Sequence, residues 1–274
     1  MTINCKGQLI DLSIPKVMGI LNLTPDSFYD GGKYKDESEI LSRVETMLNE
    51  GATFVDVGAY SSRPNAEHIS EEEELKRIAP VVELILKSFP NILLSIDTFR
   101  GNVAKTCVES GASMINDISA GKLNETMLKT VANLHVPYIM MHMRGTPQTM
   151  QSLTQYYHLV KDILFYFSER IAAARALGII DIIADPGFGF AKTITQNFEL
   201  LNSLEHFKML DLPILVGLSR KSTIYKTLGI SANEALNGTT ALNTIALQKG
   251  ANILRVHDVK EAVECVKLVE QLKS

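Results

Sequence analysis

Asp97, Asn116 and Asp185 each stand at or near the end of a short apolar run, and Lys221, Arg255 and His257 occupy similar places later in the chain. A carboxylate accepts a paired set of donors, and an amide both donates and accepts. Two carboxylates and an amide therefore suit a neutral heterocycle that offers several N–H donors and ring-nitrogen acceptors. The cationic residues Arg220, Lys221, Arg255 and His257 suit an anion, and donors after the last strands of an α/β barrel form a phosphate site. Together the two sets describe a heteroaromatic phosphate ester. Each residue also has a plainer use, because a strand-end Asp or Asn caps the next helix and a rim Arg or Lys forms a solvated ion pair. For Asp97 and Asn116 both readings stand at this point. Asp117 and Asp258 read as structural. His142 lies between Met141 and Met143 with no second histidine at metal spacing, so it reads as a satisfied core residue and no zinc is expected.

The elements that would carry these residues recur with a regular rhythm. Apolar, β-branched runs fall at 17–23, 54–59, 92–96, 114–118, 137–141, 180–184, 214–218 and 253–256, as buried parallel strands do. Helical periodicity fills the intervals, as in Ile40, Leu41, Val44, Met47 and Leu48. Gly51, Gly111, Gly178 and Gly250 each precede a strand, where a left-handed glycine closes the preceding helix. Eight strands alternating with helices predict a single (β/α)8 TIM barrel domain over 1–274, with an open doubly wound sheet as the structural rival. Ser70 with Glu73 has capping-box spacing, and the run 71–74 reads as a solvated helix start. The stretch 151–178 is the longest helical candidate, and its Tyr156, Tyr157, Phe165, Tyr166 and Phe167 are expected to pack against the barrel or a second subunit.

Composition bounds the function class. The 274 residues are 46% hydrophobic and 21% charged, enough apolar material for a sizeable core. A formal charge of −4 gives no basic surface for nucleic acid, so an anion site has to be a local cluster. Cys5, Cys107 and Cys265 are far apart and outside any C-x-x-C spacing, which points to a reducing compartment. Residues 2–8 are polar, no basic segment leads into an apolar one, and no apolar run approaches a membrane span. The expectation is a soluble cytoplasmic protein with no membrane partner.

Met18-Gly19-Ile20-Leu21-Asn22-Leu23-Thr24-Pro25-Asp26-Ser27-Phe28, Ser61-Ser62-Arg63-Pro64, Ser95-Ile96-Asp97-Thr98 and Ile115-Asn116-Asp117-Ile118 occur in that order. Met141-His142-Met143-Arg144-Gly145, Asp185-Pro186-Gly187-Phe188-Gly189-Phe190, Gly217-Leu218-Ser219-Arg220-Lys221-Ser222, Gly238-Thr239 and Arg255-Val256-His257-Asp258 follow. By these segments the chain resembles the dihydropteroate synthase family of the folate pathway. The resemblance implies a (β/α)8 barrel that joins 6-hydroxymethyl-7,8-dihydropterin pyrophosphate to p-aminobenzoate, with Mg²⁺ as cofactor, a homodimer as the assembly and sulfonamides as inhibitors. It implies a pterin site at Asp97, Asn116, Ile118, Met141, Asp185, Phe190 and Lys221. Pyrophosphate contacts would be Asn22, which also reaches the metal, with Arg255 and His257. The aminobenzoate site would comprise Phe28, Ser62, Arg63, Pro64, Phe190, Lys221 and Ser222. Asp30 and Arg63 would pair across the mouth as the first two loops close, joining Asp97 and Lys221 as the catalytic set.

The family usually reads Glu-Ser-Thr-Arg-Pro-Gly where this chain has Tyr60-Ser61-Ser62-Arg63-Pro64-Asn65. Ser62 keeps the hydroxyl and loses a methyl, and Asn65 enters a left-handed turn less freely than glycine. A methyltetrahydrofolate-dependent corrinoid methyltransferase would share the ring-binding carboxylates but would have no pyrophosphate for Lys221, Arg255 and His257. A non-catalytic pterin-binding homologue would have no use for the amine site at Ser62 and Arg63.

Overall fold

The apolar runs become strands of one twisted parallel sheet. The computed structural model describes residues 1–23, 29–30, 33–34, 37–61 and 68–272. Phe28, Ser62, Arg63, Pro64, Asn65 and the side chain of Asp30 lie outside the described residues, as does the expected Asp30–Arg63 pair. In chain order the strands are β1 (Thr2–Cys5), β2 (Gln8–Asp11), β3 (Lys16–Asn22), β4 (Tyr29–Asp30), β5 (Lys33–Tyr34), β6 (Phe54–Gly58) and β7 (Leu94–Asp97). They continue with β8 (Met114–Asp117), β9 (Tyr138–Met141), β10 (Ile182–Asp185), β11 (Leu215–Val216) and β12 (Ile253–Val256). Helices α1 (Glu37–Asn49), α2 (Glu71–Ser88), α3 (Gly101–Glu109), α4 (Met127–Leu134) and α5 (Leu159–Ala176) alternate with them. The later helices are α6 (Ile194–Asn202), α7 (Ser222–Leu228), α8 (Leu236–Gln248) and α9 (Val259–Gln271).

The eight-stranded sheet runs β10-β9-β8-β7-β6-β3-β12-β11, and a parallel bridge between Ala184 and Ile214 joins its two ends. That closure makes the expected barrel and excludes the open sheet. Gly51, Gly111 and Gly250 have φ of +100°, +119° and +104°, the left-handed helix closures expected of them.

The hairpin β1–β2 was not foreseen, because 2–8 reads as polar. Its signal is period two: Ile3, Cys5, Ile10 and Leu12 are buried while their neighbours are exposed, and Lys6-Gly7 turns with both φ positive, at 54° and 81°. The four buried residues cluster with Met18, Phe54, Leu93, Met114, Ile139, Ile183, Leu215 and Ile253. These lie at or near the N-terminal ends of the barrel strands, so the hairpin stoppers that end of the barrel. Chemistry is left to the C-terminal ends.

Two other expectations change. The stretch 151–178 is not one helix: a 3-10 turn at Met150–Ser152 precedes α5, which leaves Tyr156 and Tyr157 ahead of the helix. The acidic run is not uniformly solvated. Ser70 Oγ accepts from Glu73 N at 3.2 Å, but Glu73 pairs with Arg77 at 2.7 Å. Glu74 is wholly buried and meets Arg100 Nη1 at 2.5 Å. The helical period sets Glu74 on the same face as Ile78, Val81, Val82 and Ile85, so it cannot share the exposure of its neighbours. Arg100 also donates to the carbonyls of Ser70 and Ile69 at 2.9 and 2.5 Å. Arg100→Leu leaves that carboxylate buried without its partner, and a loss of about 3–5 kcal/mol is expected in urea denaturation.

Candidate active site

Asp56, Asp97 and Asn116 come from the adjacent strands β6, β7 and β8, and Arg255 from β12 two strands away. Arg255 Nε donates to Asp56 Oδ2 at 2.6 Å and Nη2 to Asp97 Oδ2 at 2.7 Å. Asn116 Nδ2 donates to the same Asp56 oxygen at 3.0 Å, while Asp56 Oδ1 is buried without a hydrogen-bond partner among the described residues. Gly58 leaves room for this arrangement, since a Cβ there would stand 3.1 Å from that of Asp97. Burial, with the negative charges of Asp56, Glu74 and Asp117, pushes the Asp97 carboxyl up to about 7 against the pull of Arg255. Burial works against the Arg255 charge, but Asp56 and Asp97 outweigh it and hold the guanidinium above its ordinary value.

Asp185, at the end of β10, is buried and accepts from Gly187 N at 2.8 Å. Burial raises its carboxyl, with Lys221 the leading opposing charge. Lys221 precedes α7, donates to the Phe188 carbonyl and holds its ammonium 4.9 Å from the Phe190 ring centroid. Burial pulls Lys221 down to about 8; Asp185 and Asp97 oppose the fall and Arg255 deepens it. Ile118 and Met141 form an apolar wall with Met143, Met150 and Ala191, against which Phe190 packs.

Ser219 Oγ accepts from the His257 backbone N–H at 3.1 Å and lies 3.0 Å from His257 Nδ1. A hydroxyl that accepts from the backbone can donate to the ring, a pairing that assigns the ring proton to Nε2. Asn22 ends β3 and Ser222 begins α7, both half-buried. The expected cationic set shrinks by one: Arg220 is held by both oxygens of Asp258 at 2.8 and 2.9 Å. Asp117 is structural, accepting from Ser119, Gly121 and Tyr138. His142 is a core residue, 1% exposed.

Asp56 and Lys192 were not foreseen. The signal for Asp56 was a lone acid inside Phe54-Val55-Asp56-Val57-Gly58, since an unpaired charge within a fully buried strand is costly. Tyr60, where the family usually has an acid, is nearly buried. Its hydroxyl meets His68 Nδ1 at 3.1 Å and Gln148 Nε2 at 3.0 Å, and its ring stands edge-on to Phe99 with centroids 5.1 Å apart. Its bonds are those of a neutral donor and acceptor, and its ring adds to an aromatic wall.

A family model described as pterin binding enzyme matches residues 18–257. The chain is 43% identical over 273 residues to the dihydropteroate synthase of Escherichia coli K12, covering 98% of this chain and 96% of that one. The chain belongs to the dihydropteroate synthase family. The Haemophilus influenzae dihydropteroate synthase is 41% identical over 271 residues, covering 98% of each chain. Among solved structures, a Yersinia pestis dihydropteroate synthase in a sulfonamide drug complex superposes with a TM-score of 0.93 at 41% identity, covering 100% of this chain and 99% of that one. The Thermus thermophilus enzyme in complex with 4-aminobenzoate gives 0.89 at 33% identity, with 99% and 100% coverage. Dihydropteroate synthases are transferases of folate synthesis, and the buried charges described above lie at the mouth where a TIM barrel does its chemistry.

Asp97 is ionised above about 7 and protonated below it, so if pterin use needs the carboxylate, kcat/KM falls as pH drops through 7. Asp56→Asn removes a negative neighbour and frees Arg255 for Asp97. Both changes favour the carboxylate, so the acid limb of the pH profile should move to lower pH. A limb that stays in place or rises contradicts this account.

Proposed function

We propose that the cleft joins 6-hydroxymethyl-7,8-dihydropterin pyrophosphate to p-aminobenzoate, releasing pyrophosphate and 7,8-dihydropteroate. The observation that carries this reading is the pairing of two carboxylates, half-buried Asp97 and buried Asp185, and the buried amide of Asn116 with the cations Lys221 and Arg255 in one mouth. The carboxylates accept the ring N–H donors, Asn116 both donates and accepts, and Ile118, Met141 and Phe190 pack beside the ring. His257 Nε2 and Arg255 meet the pyrophosphate, and Phe190, Lys221 and Ser222 meet the amine.

The amine is already a nucleophile, so no residue has to form a covalent bond to substrate. The bond from the exocyclic methylene to pyrophosphate oxygen breaks and the bond to the amine nitrogen forms. Pyrophosphate leaves first, and the electron-rich dihydropterin spreads the positive charge left on the methylene carbon. Asp97 stabilises that charge by standing ionised beside the ring in a poorly hydrated cleft. Arg255 holds Asp97 in place and adds positive charge where pyrophosphate departs.

The donor set fits Mg²⁺ carried largely by the substrate. Among the described residues there is no cluster of three His, Cys, Asp or Glu fit to hold a metal, and Mg²⁺ in phosphate sites keeps waters and substrate oxygens with few protein ligands. Asn22, on the strand beside β12, would supply one amide oxygen. When bound, the ion neutralises the leaving pyrophosphate.

We also propose a cytoplasmic homodimer. Leu228, Ile245, Leu268 and Leu272 on and after the last three helices are exposed, while Leu247, Val266 and Val269 face the barrel. No described helix is long and apolar enough to cross a membrane. Purified protein with Mg²⁺ and both substrates should form dihydropteroate and pyrophosphate in equal amounts. Lys221→Ala should lower the rate about a hundredfold or more. Tight pterin binding with neither product would instead identify a non-catalytic binder.

A further inference from the structure

Lys192 is buried against the turn formed by residues 185–191. Its ammonium donates to the carbonyl oxygens of Gly187 and Phe190 at 2.9 and 3.0 Å and lies 3.0 Å from Nδ1 of His142. Three contacts match the three directions in which a lysine amine can bond, so these partners use its whole capacity. His142 is a firm anchor. It is buried just after β9 and edge-on to Tyr166 with centroids 4.8 Å apart, and the Tyr166 hydroxyl reaches the carbonyls of Ser119 and Met141 at 3.0 and 3.1 Å.

The turn needs such a grip. Gly187, Gly189 and Ala191 have φ of +73°, +82° and +48°, and a left-handed alanine is strained unless its surroundings hold it. A Cβ at Gly187 would collide with the His142 carbonyl, so the turn is pressed onto the chain that anchors Lys192. Its carbonyls are taken one by one: Gly187 by Lys192 and Phe190 N, Phe188 by Lys221, Phe190 by Lys192 and Ala191 by the Tyr156 hydroxyl. Lys192 thus grips the two carbonyls on either side of the segment 188–189. One belongs to Gly187, whose N–H binds Asp185, and the other to Phe190 itself.

We propose that Lys192, anchored on His142, is a positioning residue that sets the turn so that Asp185 meets the pterin and Phe190 meets the amine. It touches neither substrate. Burial and the charges of Lys221 and Arg144 pull Lys192 well below the lysine range, while Asp185 opposes the fall.

The inference rests on Asp185 and Phe190 being substrate contacts, so its test carries a control for that reading. In steady-state kinetics, Asp185→Asn should raise KM for the pterin pyrophosphate and leave KM for p-aminobenzoate unchanged at saturating pterin. Lys192→Met should raise both KM values about tenfold, as expected for small displacements of substrate contacts, and Lys192→Arg should recover part of each. Loss of thermal stability alone would move neither KM in the folded fraction. If Lys192→Met does not fold, Lys192→Gln, whose amide offers two donors where the amine has three contacts, should raise both KM values by a smaller factor. If Asp185→Asn raises the pterin KM but the Lys192 variant leaves either KM unchanged, the proposal is overturned. If Asp185→Asn itself has no effect, the site assignment fails instead.

Discussion

The guanidinium of Arg255 lies between two carboxylates that could not otherwise share one end of a barrel. Asp56 is wholly buried, and Asp97 is half-buried beside it. Without a shared cation, burial and the charge of Asp56 would favour protonation of Asp97 unopposed. With Arg255 at 2.6 and 2.7 Å, Asp56 stays placed to receive Asn116, and Asp97 remains poised near neutrality. Asp97 directly, and Asn116 through Asp56, are therefore tied to one cation that crosses from β12, which also opposes the rise that burial imposes on the Asp97 carboxyl. A buried pair of this kind is weak evidence for stability, because desolvation offsets much of its attraction. Its value for the proposed reaction lies in presenting a carboxylate that changes charge near pH 7.

The barrel makes that arrangement affordable. The hairpin and the apolar layer from Met18, Phe54, Met114, Ile139, Ile183, Leu215 and Ile253 exclude water at one end. The polar groups are concentrated at the other end, and Asp56, Asp97, Asn116, Asp185 and Arg255 stand on strands whose backbone is fixed by their neighbours in the sheet. Side chains on strands hold their geometry better than side chains on loops. The turn after β10 is an exception among these supports. It is irregular backbone, and two lysines and a tyrosine hold its carbonyls instead of a ladder.

Much of this was legible because strand ends announce themselves. A β-branched run that stops at Asp97, Asn116 or Asp185 locates a side chain at the barrel mouth without any knowledge of its contacts. Asp56 escaped notice because it sits inside its run, where the apolar neighbours carry the strand signal. Glu74 escaped for the opposite reason: three other glutamates mark the helix start, and only helical phase separates it from them. Arg220 looked available to an anion because its partner Asp258 lies on the next strand end. The hairpin was missed because its exposed residues are as polar as its turn. In each case the deciding partner is distant in sequence, or the signal is a phase and not a composition.

In the proposed reaction Asp97 gives up its proton when a pterin ring arrives. Calorimetric titration with 6-hydroxymethyl-7,8-dihydropterin, which has no phosphate to titrate, measures that event directly when repeated in buffers of different ionisation enthalpy. With Asp97 raised to about 7, binding should release about one proton per site at pH 6 and little at pH 8. Heats at pH 6 that do not depend on the buffer would contradict it.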